Sequence, residues 1–280
     1  MSADIAKALD IACATHAGMV RTHNEDTIGA DPSIGLAVLA DGMGGYNAGE
    51  VASSIAVALI TKETRELAGK LEVDHGEGID ESAVAAEILQ DSIARANSSI
   101  YHAAGTQPQY AGMGTTLVVA LFTPSRISVA HVGDSRLYRL RGSELVQLTR
   151  DHSLLQEQID SGIITKEMAR RSQNKNLVTR AVGIEPSVEA EINAFDVREG
   201  DTYLLCSDGL NDMVEDEDIL LTLSSLQQNL PLAANQLVQL ANDNGGRDNV
   251  SVILVRVKKT YPAAQGLLGR LKTWFGKNGE

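Results

Sequence analysis

Four aspartates stand at the ends of apolar runs. Asp41 closes Leu36-Ala-Val-Leu-Ala40, Asp134 follows Ile127-Ser-Val-Ala-His-Val-Gly133, and Asp208 follows Tyr203-Leu-Leu-Cys-Ser207. Asp248 comes just ahead of Asn249 and the run Val250-Ser-Val-Ile-Leu-Val255. If the runs are strands, three acids sit at strand exits and one at a strand entrance. In an antiparallel sheet the exit of one strand lies beside the entrance of its neighbour, so all four can converge on one edge. Carboxylates gathered in this way repel one another and, ionised together, need a cation. An all-oxygen donor set suits a hard ion, Mg²⁺ or Mn²⁺, rather than zinc. The six histidines show no zinc-ligand spacing such as HExxH. The glycines of Asp41-Gly-Met-Gly-Gly45 let the backbone approach closely, so that the Gly42 carbonyl can serve as a further ligand. Taken singly, Asp-Gly is a common turn and acids are ordinary at strand ends. Their joint occurrence points to a metal site without naming a reaction.

The elements that would carry these residues are short. Runs at 11–15, 36–40, 116–122, 127–132, 136–140, 202–206 and 250–257 are β-branched or tightly apolar and are bounded by Gly, Pro, Asp or Ser. Residues 137–146 predict a hairpin turning at Arg141-Gly-Ser143. Two long helices are predicted, at about 49–67 and 81–104, with apolar stripes through Ala52, Ile55 and Leu59 and through Ala85, Leu89, Ile93, Ala96 and Ile100. Residues 69–80 between them predict a polar loop, and a third helix is expected over 231–242. Strands, then paired helices, then strands again suit mainly antiparallel sheets with helices packed outside.

The chain has 280 residues, enough for one large domain or two small ones; it shows no internal repeat and no linker before Thr260. A net charge of −13 argues against a general nucleic-acid binder. Cys13 and Cys206 each sit in an apolar run and predict buried free thiols. Asp4 and Lys7 interrupt any signal-peptide pattern, and no apolar run approaches the ~20 residues of a membrane span, so a cytoplasmic protein is expected.

Six motifs, in order, carry a resemblance. They are Arg21-Thr-His-Asn-Glu-Asp26, Leu39-Ala-Asp-Gly-Met-Gly-Gly45, Gly112-Met-Gly-Thr-Thr116, His131-Val-Gly-Asp-Ser-Arg136, Ser207-Asp-Gly-Leu210 and Gly246-Arg-Asp-Asn249. The chain resembles the metal-dependent serine/threonine protein phosphatases, the protein phosphatase 2C family, in its compact bacterial form. The resemblance implies an α+β fold, a four-layer sandwich of two packed antiparallel β-sheets flanked by pairs of α-helices, over residues 1–259. It implies a binuclear Mn²⁺ or Mg²⁺ centre. Asp41 resembles the ligand bridging both metals, with the Gly42 carbonyl as a further ligand, and Asp208 and Asp248 resemble ligands of the second metal. Asp134 and Asp208 resemble the holders of a weaker third metal. Glu25 is placed to bind a metal-coordinated water, Asp26 and Asn249 to support the ligands, and Arg21 to clamp the phosphate with its planar fork.

The reaction implied is hydrolysis of phosphoserine and phosphothreonine by in-line attack of a metal-bridging water, reversing a bacterial serine/threonine kinase, in a monomer. A catalytically idle phosphoprotein-binding module and a phosphatase of small esters are the alternatives. Met43 stands where many eukaryotic members carry a histidine proposed as general acid. Methionine cannot donate a proton, which leaves metal-bound water as donor, with His23 second. Residues 150–186 fall where the family has a variable flap beside the site, and its basic residues, Arg170 and Arg171 among them, are candidates for steering phosphoprotein substrates. The amphipathic basic tail, 260–280, could dock on a partner or a membrane surface.

Overall fold

The computed structural model describes residues 2–45, 47–73, 80–170, 172 and 177–259. Two antiparallel sheets form its centre. The first has the order β1 (Leu9–His16), β11 (Val250–Val257), β10 (Thr202–Cys206), β7 (Arg136–Arg141) and β8 (Glu144–Gln147). The second has the order β2 (Asp26–Asp31), β3 (Leu36–Met43), β5 (Leu117–Phe122), β6 (Arg126–Val132) and β9 (Glu191–Asp196), with the short β4 (Gly114–Thr115) paired to the end of β3.

Alternation along the strands builds three apolar layers. Leu39, Val118, Val129, Leu137, Tyr203, Leu205, Ile253 and Val255 meet between the sheets. Their neighbours Val38, Val119 and Ala130 point the other way, onto α2 (Ala48–Val73) and α3 (Glu81–Thr106) through Ala52, Ile60, Leu89 and Ile93. Leu204, Val252 and Leu254 pack on α7 (Asp216–Ser225) and α8 (Leu230–Asp243) through Ile219, Leu223 and Leu237. Both faces of the central strands are therefore covered, which is why β5 is buried along its whole length and reads as one apolar run rather than an alternation. The result is the expected four-layer sandwich. Shorter helices, α1 (Ser2–Ala8), α4 (Leu154–Asp160), α5 (Lys166–Arg170) and α6 (Asp208–Asn211), cap its edges.

Several details differ from the sequence reading. Helix α2 continues to Val73, beyond the expected end near residue 67 and into the predicted polar loop. Gly69 costs such a helix only about 1 kcal/mol, and Lys70, Leu71 and Glu72 are good helix formers. Strand β2 was hidden by its glycine: a Cβ on Gly29 would meet Val57 Cγ1 at 2.7 Å, so the bare backbone is what lets β2 lie under α2. Cys13 is exposed rather than buried, because β1 is the outer strand of its sheet; Cys206, in the interior strand β10, is buried as expected.

Candidate metal centre

The predicted acids meet where the two sheets end together. Asp41 lies in the last turn of β3, directly opposite Asp26 at the start of β2. Asp134 lies in the two-sheet crossover just after β6, Asp208 opens α6 immediately after β10, and Asp248 precedes β11. Backbone contacts fix each one. The Asp41 carbonyl accepts from Thr116 N and Thr115 Oγ1, both at 2.8 Å. Thr116 Oγ1 in turn pairs with Ser135 Oγ at 2.7 Å, beside Asp134. A Cβ on Gly209 would meet the Asn249 carbonyl at 2.0 Å, so the loop carrying Asp208 rests on the loop carrying Asp248. Gly42 is required for a related reason. Its Cβ would meet the Gly49 carbonyl at 2.1 Å, so the bare Cα admits the first turn of α2, whereas Gly45 faces open space.

The electrostatics are those of carboxylates in want of a cation. The Asp41 carboxyl is held well above the usual carboxylate range, by loss of solvent first and then by Asp26, Asp208, Asp134 and Asp248. Asp208 is raised in the same way, by burial and then by Asp134, Asp212, Asp248 and Asp26. Burial lifts Asp134 to about 7, with Asp151 the next contributor. Burial likewise lifts Asp26 to about 6, against the hydroxyls of Ser251 and Ser207. Asp26 Oδ1 is buried without a hydrogen-bond partner. A hard cation among these oxygens would reverse each shift and give the orphaned oxygen a counter-charge, so the donor set fits Mn²⁺ or Mg²⁺. The acids stand wider apart than a closed ligand set, as like charges do. Among the described residues, the three donors whose atoms all lie within 4.8 Å of one another are instead His131, His152 and Glu191.

The supporting residues are brought to the same place. Asn249, 4% exposed, donates from Nδ2 to the carbonyls of Ala17 (3.0 Å) and His23 (2.9 Å), and its Oδ1 accepts from Glu25 N (2.8 Å). It thereby folds residues 17–25 over the acids. The Glu25 carbonyl accepts from Ser53 Oγ at 2.6 Å and from Gly42 N at 3.2 Å, which ties that loop to β3 and α2. Burial raises the Glu25 carboxyl, with Arg21 opposing. Arg21, half exposed, donates from Nη2 to Asp248 Oδ2 at 2.7 Å. His23 is exposed.

Sequence reasoning missed Ser207, whose hydroxyl donates to Asp26 Oδ2 at 2.8 Å and accepts from Ser251 N at 3.0 Å. Its place beside Asp208 in the Ser207-Asp-Gly-Leu210 motif was the one signal that could have found it. The flap begins with α4, capped by Ser153, and is tied back by the bridges Ser153–Val178 and Thr115–Val182. A cavity of about 210 Å³ separates it from Asp134 and Asp208, and Arg136 and Asp151 form a bidentate ion pair in its wall. Of the predicted steering residues, Arg170 ends α5, and Arg171 lies outside the described residues. The tail 260–280 also lies outside them. Within them no helix is long and apolar enough to cross a membrane.

Residues 17–242 match the protein phosphatase 2C family. The chain is 39% identical over 247 residues to the serine/threonine phosphatase stp of Listeria welshimeri, covering 86% of this chain and 93% of that one. It is 34% identical to the protein phosphatase PhpP of Streptococcus pneumoniae over 90% of this chain and 98% of that one. Among solved structures, the catalytic domain of the serine/threonine protein phosphatase PstP, in complex with two manganese ions, superposes with a TM-score of 0.73 at 38% identity, covering 89% of this chain and 97% of that one.

Proposed function

We propose, from the premise that this chain belongs to the protein phosphatase 2C family and is a metal-dependent serine/threonine protein phosphatase, that its convergent carboxylates hold two Mn²⁺ ions as the likeness to manganese-bound PstP suggests. The observation that supports this most is the meeting of Asp41 and Asp134 from one sheet with Asp208 and Asp248 from the other, where, after burial, Asp134 and Asp248 both help raise Asp41 and Asp208. Asp41, the Gly42 carbonyl, Asp208 and Asp248 would together hold the two ions. Asp134, with Asp208, offers a weaker third position. Mg²⁺ takes the same oxygen ligands. When bound, the ions supply an acidified water and polarise the phosphoryl oxygens, which is how a phosphate monoester is opened in line.

The chain's own residues do the rest. Arg21 exchanges its Asp248 partner for the phosphate, and its exposure leaves it free to turn. Glu25 would hold a water beside the ions. Asp26 backs Asp41 across the strand pair, and Asn249 holds the Arg21–Glu25 loop in reach. Met43 offers no proton to the leaving alkoxide, which leaves its protonation to solvent. Phosphoserine and phosphothreonine proteins are the substrates, a serine/threonine kinase supplies them, and the protein acts in the cytoplasm as a monomer.

The test is phosphate release from a phosphothreonine peptide with Mn²⁺, with excess EDTA, and in Asp208→Asn. Release in the first alone is expected. Release that persists in EDTA, or in Asp208→Asn at the wild-type rate, would overturn the assignment.

A further inference from the structure

We propose, on the reading that Arg21 receives the substrate phosphate, that Met19 and Val20 form an apolar seat for a residue flanking the phosphoserine or phosphothreonine, so that the enzyme prefers sites with an apolar neighbour. These two residues stand directly ahead of Arg21 in the loop between β1 and β2. Met19 is 66% and Val20 67% exposed. On a strand, consecutive side chains point to opposite faces and one of a pair can be buried; here both stand in solvent. A lone exposed apolar side chain is ordinary. An adjacent pair beside the phosphate clamp, needed by no core, marks a contact surface.

The backbone holds the pair outward. Met19 N donates to the Gly246 carbonyl at 2.7 Å. Gly18 has a φ of +80°, and a Cβ there would meet the Asp248 and Gly246 carbonyls at 2.3 and 2.7 Å, so the loop rests directly on the segment that carries Asp248. A Cβ on Gly246 would meet Met19 Cγ at 2.7 Å, so the Met19 stem crosses that glycine. On either side, the Asn249 amide holds the carbonyls of Ala17 and His23. The inner side of the loop is thus filled by its bonds to residues 246–249, and the side chains of Met19 and Val20 are left to the substrate side.

Chain geometry sets the range of the contact. An extended peptide advances about 3.3–3.6 Å per residue. Val20 and Met19 are one and two positions from Arg21. A peptide whose phosphate lies on Arg21 therefore brings residues one or two places from its phosphorylated residue within reach of them.

Charge favours an apolar partner at this place. The chain carries a net charge of −13, so an acidic phosphopeptide gains no long-range attraction from the protein as a whole. Apolar burial is indifferent to that field. The two side chains divide the work. Val20, stiff at χ1, gives a fixed wall. Met19, with three rotatable bonds and a polarisable thioether, adapts to apolar side chains of different shape.

The test compares three substrates on the full chain in saturating Mn²⁺. One is a phosphothreonine peptide with leucine at the two positions on each side, the second carries serine at those positions, and the third is N-acetyl-phosphothreonine amide, which has no flanking residue. Wild type should show a kcat/KM for the leucine peptide at least about tenfold above that for the serine peptide. In the double variant Met19→Ser/Val20→Ser that ratio should fall to about one, through a raised KM for the leucine peptide with kcat kept. Hydrolysis of the amide should match wild type. If the double variant does not fold, Met19→Gln and Val20→Thr, which nearly keep side-chain size, are read in the same way. A wild-type ratio near one overturns the seat. So does a ratio that persists in the variants, with or without a common loss on all three substrates. Arg21→Ala tests the clamp separately: it should slow all three substrates, and if it slows none the clamp fails while the leucine-to-serine ratio still decides the seat.

Discussion

Replacing Asn249 by alanine tests whether the Arg21 loop is held by one side chain. The amide makes three hydrogen bonds, to the carbonyls of Ala17 and His23 and from Glu25 N, at 2.8–3.0 Å. At a net of about 1 kcal/mol each, their loss costs about 3 kcal/mol, and water reaching the exposed His23 side of the loop keeps the figure from rising much higher. The backbone bond from Asn249 N to Asp248 Oδ1 survives the substitution, so Mn²⁺ affinity should change little. Turnover should change much more. A loop loosened by an ångström misplaces Arg21, and a displacement of that size costs about 100-fold in rate. Urea unfolding in saturating Mn²⁺ gives the stability, and phosphothreonine-peptide kinetics for Asn249→Ala, Arg21→Ala and the double variant give the coupling. The two substitutions should be far from multiplicative, since Arg21 has little left to lose once its loop is free. Stability within about 0.5 kcal/mol of wild type, or multiplicative rate losses, would refute the reasoning.

Three further outcomes are expected. Asp26 and Asp134 titrate near 6 and 7 when folded without metal, against about 4 in an unfolded chain. Between those values the folded state holds protons that the unfolded state has released, so their stabilising contribution is lost as pH rises through about 6–7. His152, pushed down to about 4, acts in the opposite sense, destabilising the fold as pH falls below 6.5. The Mn²⁺-induced rise in Tm isolates the carboxylates, and it should grow from pH 5.5 to pH 7.5; a flat or falling increment in scanning calorimetry would contradict the shifts. Asp208→Asn removes one member of the repelling set, so without metal at pH 7.5 it should melt above the metal-free wild type and yet gain little from Mn²⁺. Asp201, 1% exposed, accepts two bonds from Arg141 at 2.7–2.8 Å and others from Arg198 N and Tyr203. Asp201→Ala should cost about 3–5 kcal/mol in urea unfolding while leaving kcat of the remaining folded protein unchanged.

What the sequence made legible depended on how each residue's role is encoded. Strands buried on both faces are continuous apolar runs, so β3, β5, β6, β10 and β11 could be read directly, and the acids at their ends followed. Strand β9, partly exposed along most of its length, has no such run and was not read. With it went the pairing of His131 to Glu191, since cross-strand partners so far apart in the chain have no local spacing to find. The reasons for the glycines were half legible. Close approach was expected at Gly42, but the partner is the first turn of α2, which only the packing of helix on sheet reveals.

The arrangement also separates what folds the chain from what the metal does. Asp41 and Asp134 belong to the six-stranded sheet, and Asp208 and Asp248 to the five-stranded sheet. Between those sheets lies a layer of buried side chains, Leu39, Val118, Leu137, Tyr203 and Ile253 among them, that needs no ion to form. Ser207 and Asn249 then cross the seam to Asp26 and Glu25 with hydrogen bonds. The hydrophobic layer therefore holds the acids near one another against their repulsion, and metal binding draws on strain that the apolar core has already overcome. A centre built in this way would bind its ions by releasing repulsion rather than by organising a chain. Its affinity is set by how many of the acids remain ionised, and its geometry by two sheets that cannot move apart.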